Sequence, residues 1–469
     1  MDRAAEQLQL LRKKADDTVD QIRQLLDEPP NLNSPSALEA HERHLVALTD
    51  ELAAVGMAIS VQQALATEGL QTAAAELVQS QKRYKDDGAR LCTLLFHRGG
   101  PQTIASVYYR RKAKGASARG KGVWPGLLLL GFFQHRSPAA NAVLAIWACA
   151  VSSLKEARDL LERQGVEIDV KTLRNIVYRF GQRARLALST VPFTVPDTPQ
   201  PGRCIVVSTD GGRIRIRTNK KGHPTAKGRR RYHAQCREPR LLHICCYRPD
   251  GTPDKEFCPI IDGTLDGPDA VFLLLRHYLR AFSLCDTDKV LLIADAAPWI
   301  WVRFEALVAD GSLFPARIFQ LVDFYHAVQH LRAFADACTH WKPSARTRWF
   351  TQTKAFLKKG DAQTIIQRME KTIAQRRRRS KVLAEHAGYF RKNKLRFSYA
   401  WARRRRLPIG SGPMESAVRR VINLRLKGPG IFWHEESANA ILLLRSFYKA
   451  NRWNQLQNAA LSPTIDLLQ

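Results

Sequence analysis

Three carboxylates stand where phosphodiester chemistry would want them. Asp210 ends the β-branched run Cys204 to Thr209, Asp295 ends the apolar run Val290 to Ala294, and Glu415 lies in the first turn of a helix opened by Gly410-Ser411-Gly412-Pro413. Asp295 follows Asp210 by 85 residues, and Glu415 follows Asp295 by 120. If the strands ending in the two aspartates are adjacent, both side chains emerge at one sheet edge, and a helix crossing that edge adds the glutamate. Three carboxylates held together repel unless cations neutralise them. Mg²⁺ is the natural occupant, with Mn²⁺ as a substitute: it takes hard oxygen ligands, few of them carboxylates, and leaves positions for water and phosphate oxygens. Two such ions about 3.5–4 Å apart can activate water or a 3′-hydroxyl and stabilise the leaving oxygen without a protein nucleophile. The sequence contains no complete P-loop, nucleophile elbow or HExxH motif.

Each acid also has a local reading. Asp210 precedes Gly211-Gly212 and suits a turn; Asp295 suits a cap for a helix at Pro298-Trp299; Glu415 complements a helix dipole and has Arg419 one turn on. A joint site explains all three at once.

The elements that must position these acids follow from periodicity. Strands are expected at Cys204–Thr209, Arg213–Arg217, Arg240–Arg248, Val290–Ala294 and Arg317–Val322, with helices near Asp269–Phe282 and Trp299–Val308. Together they make a mixed five-stranded sheet with helices on its faces, an α/β core. Residues 191–329 form its first part, opening at the Pro-rich segment 191–201. A very basic, all-helical insertion follows at 330–408, and residues 409–469 complete the core and add a C-terminal helix.

The region before the core reads as all-α. Residues 1–100 carry two apolar stripes, Leu8, Leu11, Ala15, Ile22, Leu25 and then Leu38, Leu45, Leu48, Leu52, Val55, Ile59, separated by Pro29-Pro30. Two helices that fold back, or pair with a second chain as a coiled coil, fit that pattern. Residues 101–190 contain Leu154–Arg163, a break at Gly165, and the basic helix Val170–Leu186, the pattern of a helix-turn-helix. Lys171, Arg174 and Arg179 on the second helix are its candidate DNA contacts.

Composition narrows the partner. The 469 residues hold 74 Lys and Arg against 43 Asp and Glu, a formal net charge of +31, with 45% hydrophobic residues. Such a chain is folded and attracts polyanions, and double-stranded DNA is the partner expected. No run approaches about 18 consecutive apolar residues, so no membrane role is expected. The start lacks the features of a signal peptide, and nine cysteines without a CxxC pair support neither a disulfide framework nor a thiolate zinc site. A cytoplasmic protein with reduced thiols is expected.

Four motifs in order carry a resemblance: Ser208-Thr209-Asp210-Gly211-Gly212; Ile293-Ala294-Asp295-Ala296-Ala297-Pro298-Trp299-Ile300; Val322-Asp323-Phe324-Tyr325-His326; and Ile409-Gly410-Ser411-Gly412-Pro413-Met414-Glu415-Ser416. From Arg203 to about Tyr448 the chain resembles bacterial DDE-type insertion-sequence transposases, in the branch with a helical insertion before the Glu and a D-x-x-H motif. The resemblance implies a ribonuclease H-like catalytic core, with Asp210, Asp295 and Glu415 holding two Mg²⁺ ions. It also implies cleavage at the element's terminal inverted repeats, strand transfer into target DNA, a nucleoid-associated location and a homodimer or higher oligomer on DNA. Asp323 and His326 match the D-x-x-H motif and would support the site, while a helix N-cap and a packed imidazole remain open for them. Cysteine pairs often found before the helix-turn-helix in such proteins have no counterpart in Arg111–Lys121.

Further basic residues fit the same partner. Arg213, Arg215 and Arg217 share one face of their strand beside Asp210, and Arg419 follows Glu415. The runs Arg376–Arg379 and Arg403–Arg406 suit a phosphate track or a solvated helix face. Trp341, Trp349, Trp401 and Trp433 suit either base stacking or a buried core. Two other functions stay open: a structure-selective nuclease or resolvase with the same fold, and a non-catalytic, domesticated DNA-binding protein.

Overall fold

The computed structural model describes residues 3–27, 32–79, 84–112, 122–190, 193, 195, 201–220, 222–226, 228, 231–375 and 380–462. The chain forms two compact units, one of residues 1–187 with 457–469 and one of residues 188–456. The run Arg376–Arg379, the basic stretch 113–121 and most of the Pro-rich segment lie outside the described residues.

In the first unit, α1 (Arg3–Asp27) and α2 (Pro35–Leu65) fold back on each other, followed by α3 (Glu68–Gln79). Ser34 caps α2 by accepting from the Ala37 amide, and Pro35 sits at the first helical position. By length and composition α2 could span a bilayer, a property the count of consecutive apolar residues missed. Its Ala54, Ala58 and Val61 are instead buried in this unit's core with Leu11, Leu94 and Ile104.

An all-α region was expected up to the core, and this is corrected. A three-stranded sheet follows α3: β1 (Tyr84–Leu94), β2 (Gln102–Arg111) and β3 (Gly122–Val123). β1 and β2 pair antiparallel, with a register shift between Asp86 and Ala89 where Gly88 adopts φ +76°. Cys92, Leu94 and Ile104 alternate inward, and pairing with β2 outweighs a local sequence that reads as helix. The unit continues with α4 (Pro125–Leu129), α5 (Pro138–Ala150), α6 (Leu154–Arg163) and α7 (Val170–Thr190). Gly165 (φ +76°) turns the chain between α6 and α7, the helix–turn–basic helix expected.

The second unit is mixed α/β. Its strands are β4 (Cys204–Gly211), β5 (Ile214–Asn219), β6 (Tyr232–Arg237), β7 (Arg240–Tyr247), β8 (Ile260–Thr264), β9 (Lys289–Ala294) and β10 (Arg317–Val322). The main sheet runs β8-β7-β4-β9-β10, with β4, β9 and β10 parallel and β7 and β8 antiparallel to their neighbours. Helices α8 (Pro268–Leu279) and α9 (Pro298–Ala309) connect its strands. Cys204 to Thr209 and Val290 to Ala294 are buried throughout, as parallel strands covered on both faces must be.

Two strand assignments differ from expectation. The Arg213–Arg217 segment does not join the main sheet; as β5 it pairs with β6 in a separate two-stranded ribbon. The fifth strand of the sheet is β8, whose Asp262-Gly263 reads locally as a turn. Gly263 is required there by close approach, since a Cβ would lie 2.5 Å from the Arg240 carbonyl oxygen. Asp262, fully buried, accepts from the Tyr278 hydroxyl at 2.7 Å.

The insertion is helical as expected: α10 (Phe324–Ala337), α11 (Pro343–Lys359), α12 (Ala362–Ala374), α13 (Lys381–Lys392) and α14 (Tyr399–Arg404). Then come α15 (Gly412–Val418), a π-helical segment over Arg419–Asn423, α16 (Glu435–Lys449) and α17 (Trp453–Ala460). All nine cysteines are free thiols.

Candidate active site

The ladders put three aspartates at one level. Cys204 pairs with Lys289, and Lys289 with Arg317; Asp210, Asp295 and Asp323 each lie six residues further along these three parallel strands. Each follows an apolar strand to the same sheet edge.

Asp210 and Asp295 each commit one oxygen to a local turn. Asp210 Oδ1 accepts from the Gly211 amide at 2.7 Å and Asp295 Oδ1 from the Ala297 amide at 2.9 Å. Trp301 Nε1 donates to the Asp295 carbonyl at 3.1 Å and pins the strand end to α9. Burial raises the Asp210 pKa, with the Gly211 amide opposing it; nearby Asp295 raises it further, while His326 and Arg240 lower it. Two half-buried carboxylates whose mutual charge is unfavourable form a hard-oxygen donor pair that a divalent cation would relieve, and this fits Mg²⁺ or Mn²⁺.

Asp323 plays a different part. It is 1% exposed, and its Oδ1 caps α10 by accepting from the His326 amide at 2.8 Å. Its Oδ2 accepts from the Ser411 amide and, at 2.7 Å, from the Ser411 hydroxyl. Asp323 is thus the helix N-cap, and the same side chain clamps the loop that opens α15. His326 is half-buried with its imidazole in the field of Asp210.

Glu415 lies exposed in the first turn of α15, which packs by Met414, Ala417 and Val418 and lies against β4. No ion pair joins it to Arg419 among the described residues, and Arg419 is also exposed. Among the described residues no group of three or more His, Cys, Asp or Glu side chains closes to metal-holding range. The expected trio is thus present as a pair, with the third acid on a neighbouring helix. Gly212 ties that helix to the pair: a Cβ there would lie 2.8 Å from Ile422 Cγ2 in the π-helical segment.

The basic candidates divide. Lys171 and Arg174 are exposed on α7, whereas Arg179 is half-buried with its guanidinium 4.6 Å from the Phe133 ring, and burial lowers its pKa. Arg213 is exposed. Arg215 and Arg217 are half-buried, lying over Phe432 at 4.6 Å and Tyr232 at 6.0 Å. The tryptophans belong to packing: Trp349 and Trp433 are buried, Trp401 stacks on Phe319 at 4.0 Å, and Trp341 lies against Trp349.

Several neighbours of the pair escaped the sequence reading. Arg240, level with Gly211 on β7, lies over Trp299 at 4.5 Å and lowers the Asp210 pKa. Tyr389 on α13 sits close enough to Asp295 and Asp323 that burial and their charge push its phenol up. His330 stacks on Tyr389 at 3.7 Å, and its Nδ1 lies 3.0 Å from His386 Nδ1. Tyr325, 61% exposed, stands beside Gly410, where a Cβ would lie 2.7 Å from its ring. The spacing of His326 and His330 was a usable signal, since i and i+4 share a helix face; nothing local marks Tyr389, which arrives from another helix.

Neither models of known protein families nor curated proteins match the chain.

Proposed function

We propose that the chain is a DNA transposase with a ribonuclease H-like core, cutting phosphodiester bonds at its element's terminal inverted repeats and joining the ends to target DNA. The observation that carries this reading is the level placement of Asp210 and Asp295 on adjacent parallel strands, with Asp210 destabilised as an anion. The strand order β8-β7-β4-β9-β10 supports the core assignment, and the +31 charge supports a DNA substrate. Asp210 and Asp295 would hold the cation, and Glu415 would join them through movement of α15. When bound, paired Mg²⁺ supplies an activated oxygen nucleophile and stabilises the leaving oxygen. Asp323 positions α15 through Ser411, and exposed Lys171 and Arg174 on α7 contact phosphates.

A second reading, DNA binding without catalysis, is favoured by one observation: Glu415 is exposed and outside the acid pair. The test incubates the chain with duplexes carrying the DNA that flanks its own gene. Mg²⁺-dependent cuts at inverted termini, with joined products and loss of both in chelator, are the expected result. Cutting of branched DNA alone would indicate a nuclease or resolvase. Salt-sensitive binding without cutting would overturn the catalytic assignment in favour of the second reading.

A further inference from the structure

The ribbon β5–β6 is unlike any other element of the second unit. Residues 213–237 contain ten Lys and Arg and no Asp or Glu. β6 is exposed along Tyr232–Cys236, while Ile214 and Ile216 of β5 are buried. A two-stranded ribbon is marginal alone, and this one is anchored along β5. The Arg217 amide donates to the Trp433 carbonyl at 2.8 Å, the Trp433 amide donates to the Arg215 carbonyl at 2.9 Å, and Arg237 pairs with Glu435 at 2.8 Å. Its far end is closed by the Lys220 amide donating to the Arg231 carbonyl at 2.8 Å.

Register sorts the side chains into two faces. Arg215 lies opposite Cys236, Arg217 opposite Ala234, and Asn219 opposite Tyr232, so the arginines face small partners across the ribbon. Phe432 and Tyr232 support the two guanidinium planes from one side. Arg217 Nε is buried without a hydrogen-bond partner among the described residues. Arg215 also donates to the Gly428 carbonyl, so the row of arginines that begins three residues after Asp210 is held in place by the ribbon's own surroundings.

We infer that this ribbon is an arm that enters the major groove of duplex DNA and sets its exposed cations, Arg213, Lys220 and Arg231, on the flanking phosphates, with Arg213 nearest the acid pair in the chain. A B-form major groove admits a two-stranded β-ribbon, whereas the deep, narrow major groove of A-form RNA does not. A membrane surface is the poorer fit, because insertion needs exposed apolar side chains and Tyr232 is the one large hydrophobic of this ribbon that is exposed. The inference rests on the proposed function only for where the cut lies; the choice of duplex DNA follows from the ribbon itself.

The test uses the full chain in chelator with a random-sequence B-form duplex. The triple variant Arg213→Gln/Lys220→Gln/Arg231→Gln changes exposed residues alone. It should lower the slope of log Kd against log salt by about 2.7, since each phosphate contact contributes about 0.9. In the unmodified chain, Cys236 is exposed on the arginine face, and its alkylation, read on its own peptide, should slow severalfold when DNA duplex is added and not when an RNA duplex is added. An unchanged slope in the folded triple variant, or equal protection by RNA, overturns the arm. Metal-dependent cutting with an unchanged slope would sink the arm alone, and a reduced slope without cutting would sink the catalytic reading alone.

Discussion

Asp323 and Ser411, 88 residues apart, are joined by two hydrogen bonds to a single carboxylate oxygen, one from the serine amide and one from its hydroxyl at 2.7 Å. This contact fixes where α15 begins relative to the end of β10. Asp323 is almost wholly buried and its other oxygen caps α10, so one side chain sets the entry of two helices. A buried carboxylate with its acceptors filled by local donors is suited to positioning.

Ser411→Ala removes the hydroxyl donor and leaves the amide. A hydrogen bond to a charged group is worth about 1.5–3 kcal/mol, so urea unfolding should show a loss of that order. Ser411→Thr, which retains the donor, should recover most of it. An unchanged midpoint for the alanine variant would show that the clamp contributes nothing.

If the proposed function holds, Asp210→Asn, Asp295→Asn and Glu415→Gln should each reduce Mg²⁺-dependent cleavage by at least about a hundredfold while leaving the Kd for duplex DNA nearly unchanged, because these groups would then hold cation and not phosphate. Cleavage rates and filter binding measured side by side decide it. Wild-type cleavage by the glutamine variant would remove Glu415 from the site.

Asp210 also bears on stability. Its folded pKa is raised, so its favourable contribution is present below the unfolded pKa and is lost as pH rises through the folded value. In chelator at neutral pH, Asp210→Asn should therefore melt above the parent protein, and the gap should close as pH falls below the carboxylate range. A lower melting point for the variant at pH 7 would contradict the buried repulsion.

Gly212 lies outside the left-handed region, so Gly212→Ala is a steric change against Ile422. Overpacking of this kind costs about 1–3 kcal/mol. In an Ile422→Ala background the cost should shrink, giving a coupling of at least about 0.5 kcal/mol in a double-mutant cycle. Additive effects would mean that the strand turn and the π-helical segment do not press on each other.

Two histidines are held neutral by their surroundings. Burial, with His386 and His326 nearby, lowers His330 to about 4; burial, with Arg420, lowers His243 to about 4. Between the unfolded value of about 6.5 and these folded values the unfolded chain binds the extra protons. Stability is then full above that range and declines as pH falls through it. Denaturant midpoints from pH 7 to 4 should fall, and His243→Gln or His330→Gln should flatten the decline; a flat parent profile would exclude both.

The strand ends that carry the candidate acids could be read before any fold was known. Asp210, Asp295 and Asp323 each follow a short apolar run, and such runs announce buried strands by composition alone. The helix–turn–helix at 154–190 and the helical insertion were legible for the same reason, since their apolar spacing repeats within one element. β8 and β6 were not. Asp262-Gly263 looks like a turn until α16 and Tyr278 bury it, and β6 has no apolar alternation because the whole strand faces outward. β1 was misread because its partner lies beyond Gly99-Gly100-Pro101, and pairing energy comes from that partner.

What the amino-acid order determined by itself was the inventory: which residues are acids at strand ends, which segments are helical, and that the surface is strongly basic. Only the tertiary structure decided that Asp210 and Asp295 share a level while Glu415 stays outside their reach, and that Arg179 turns inward while Tyr389 approaches from another helix. The physical reason is range. Periodicity and capping act within a few residues of chain, whereas strand order, register and side-chain proximity depend on contacts between segments that sequence separation does not encode.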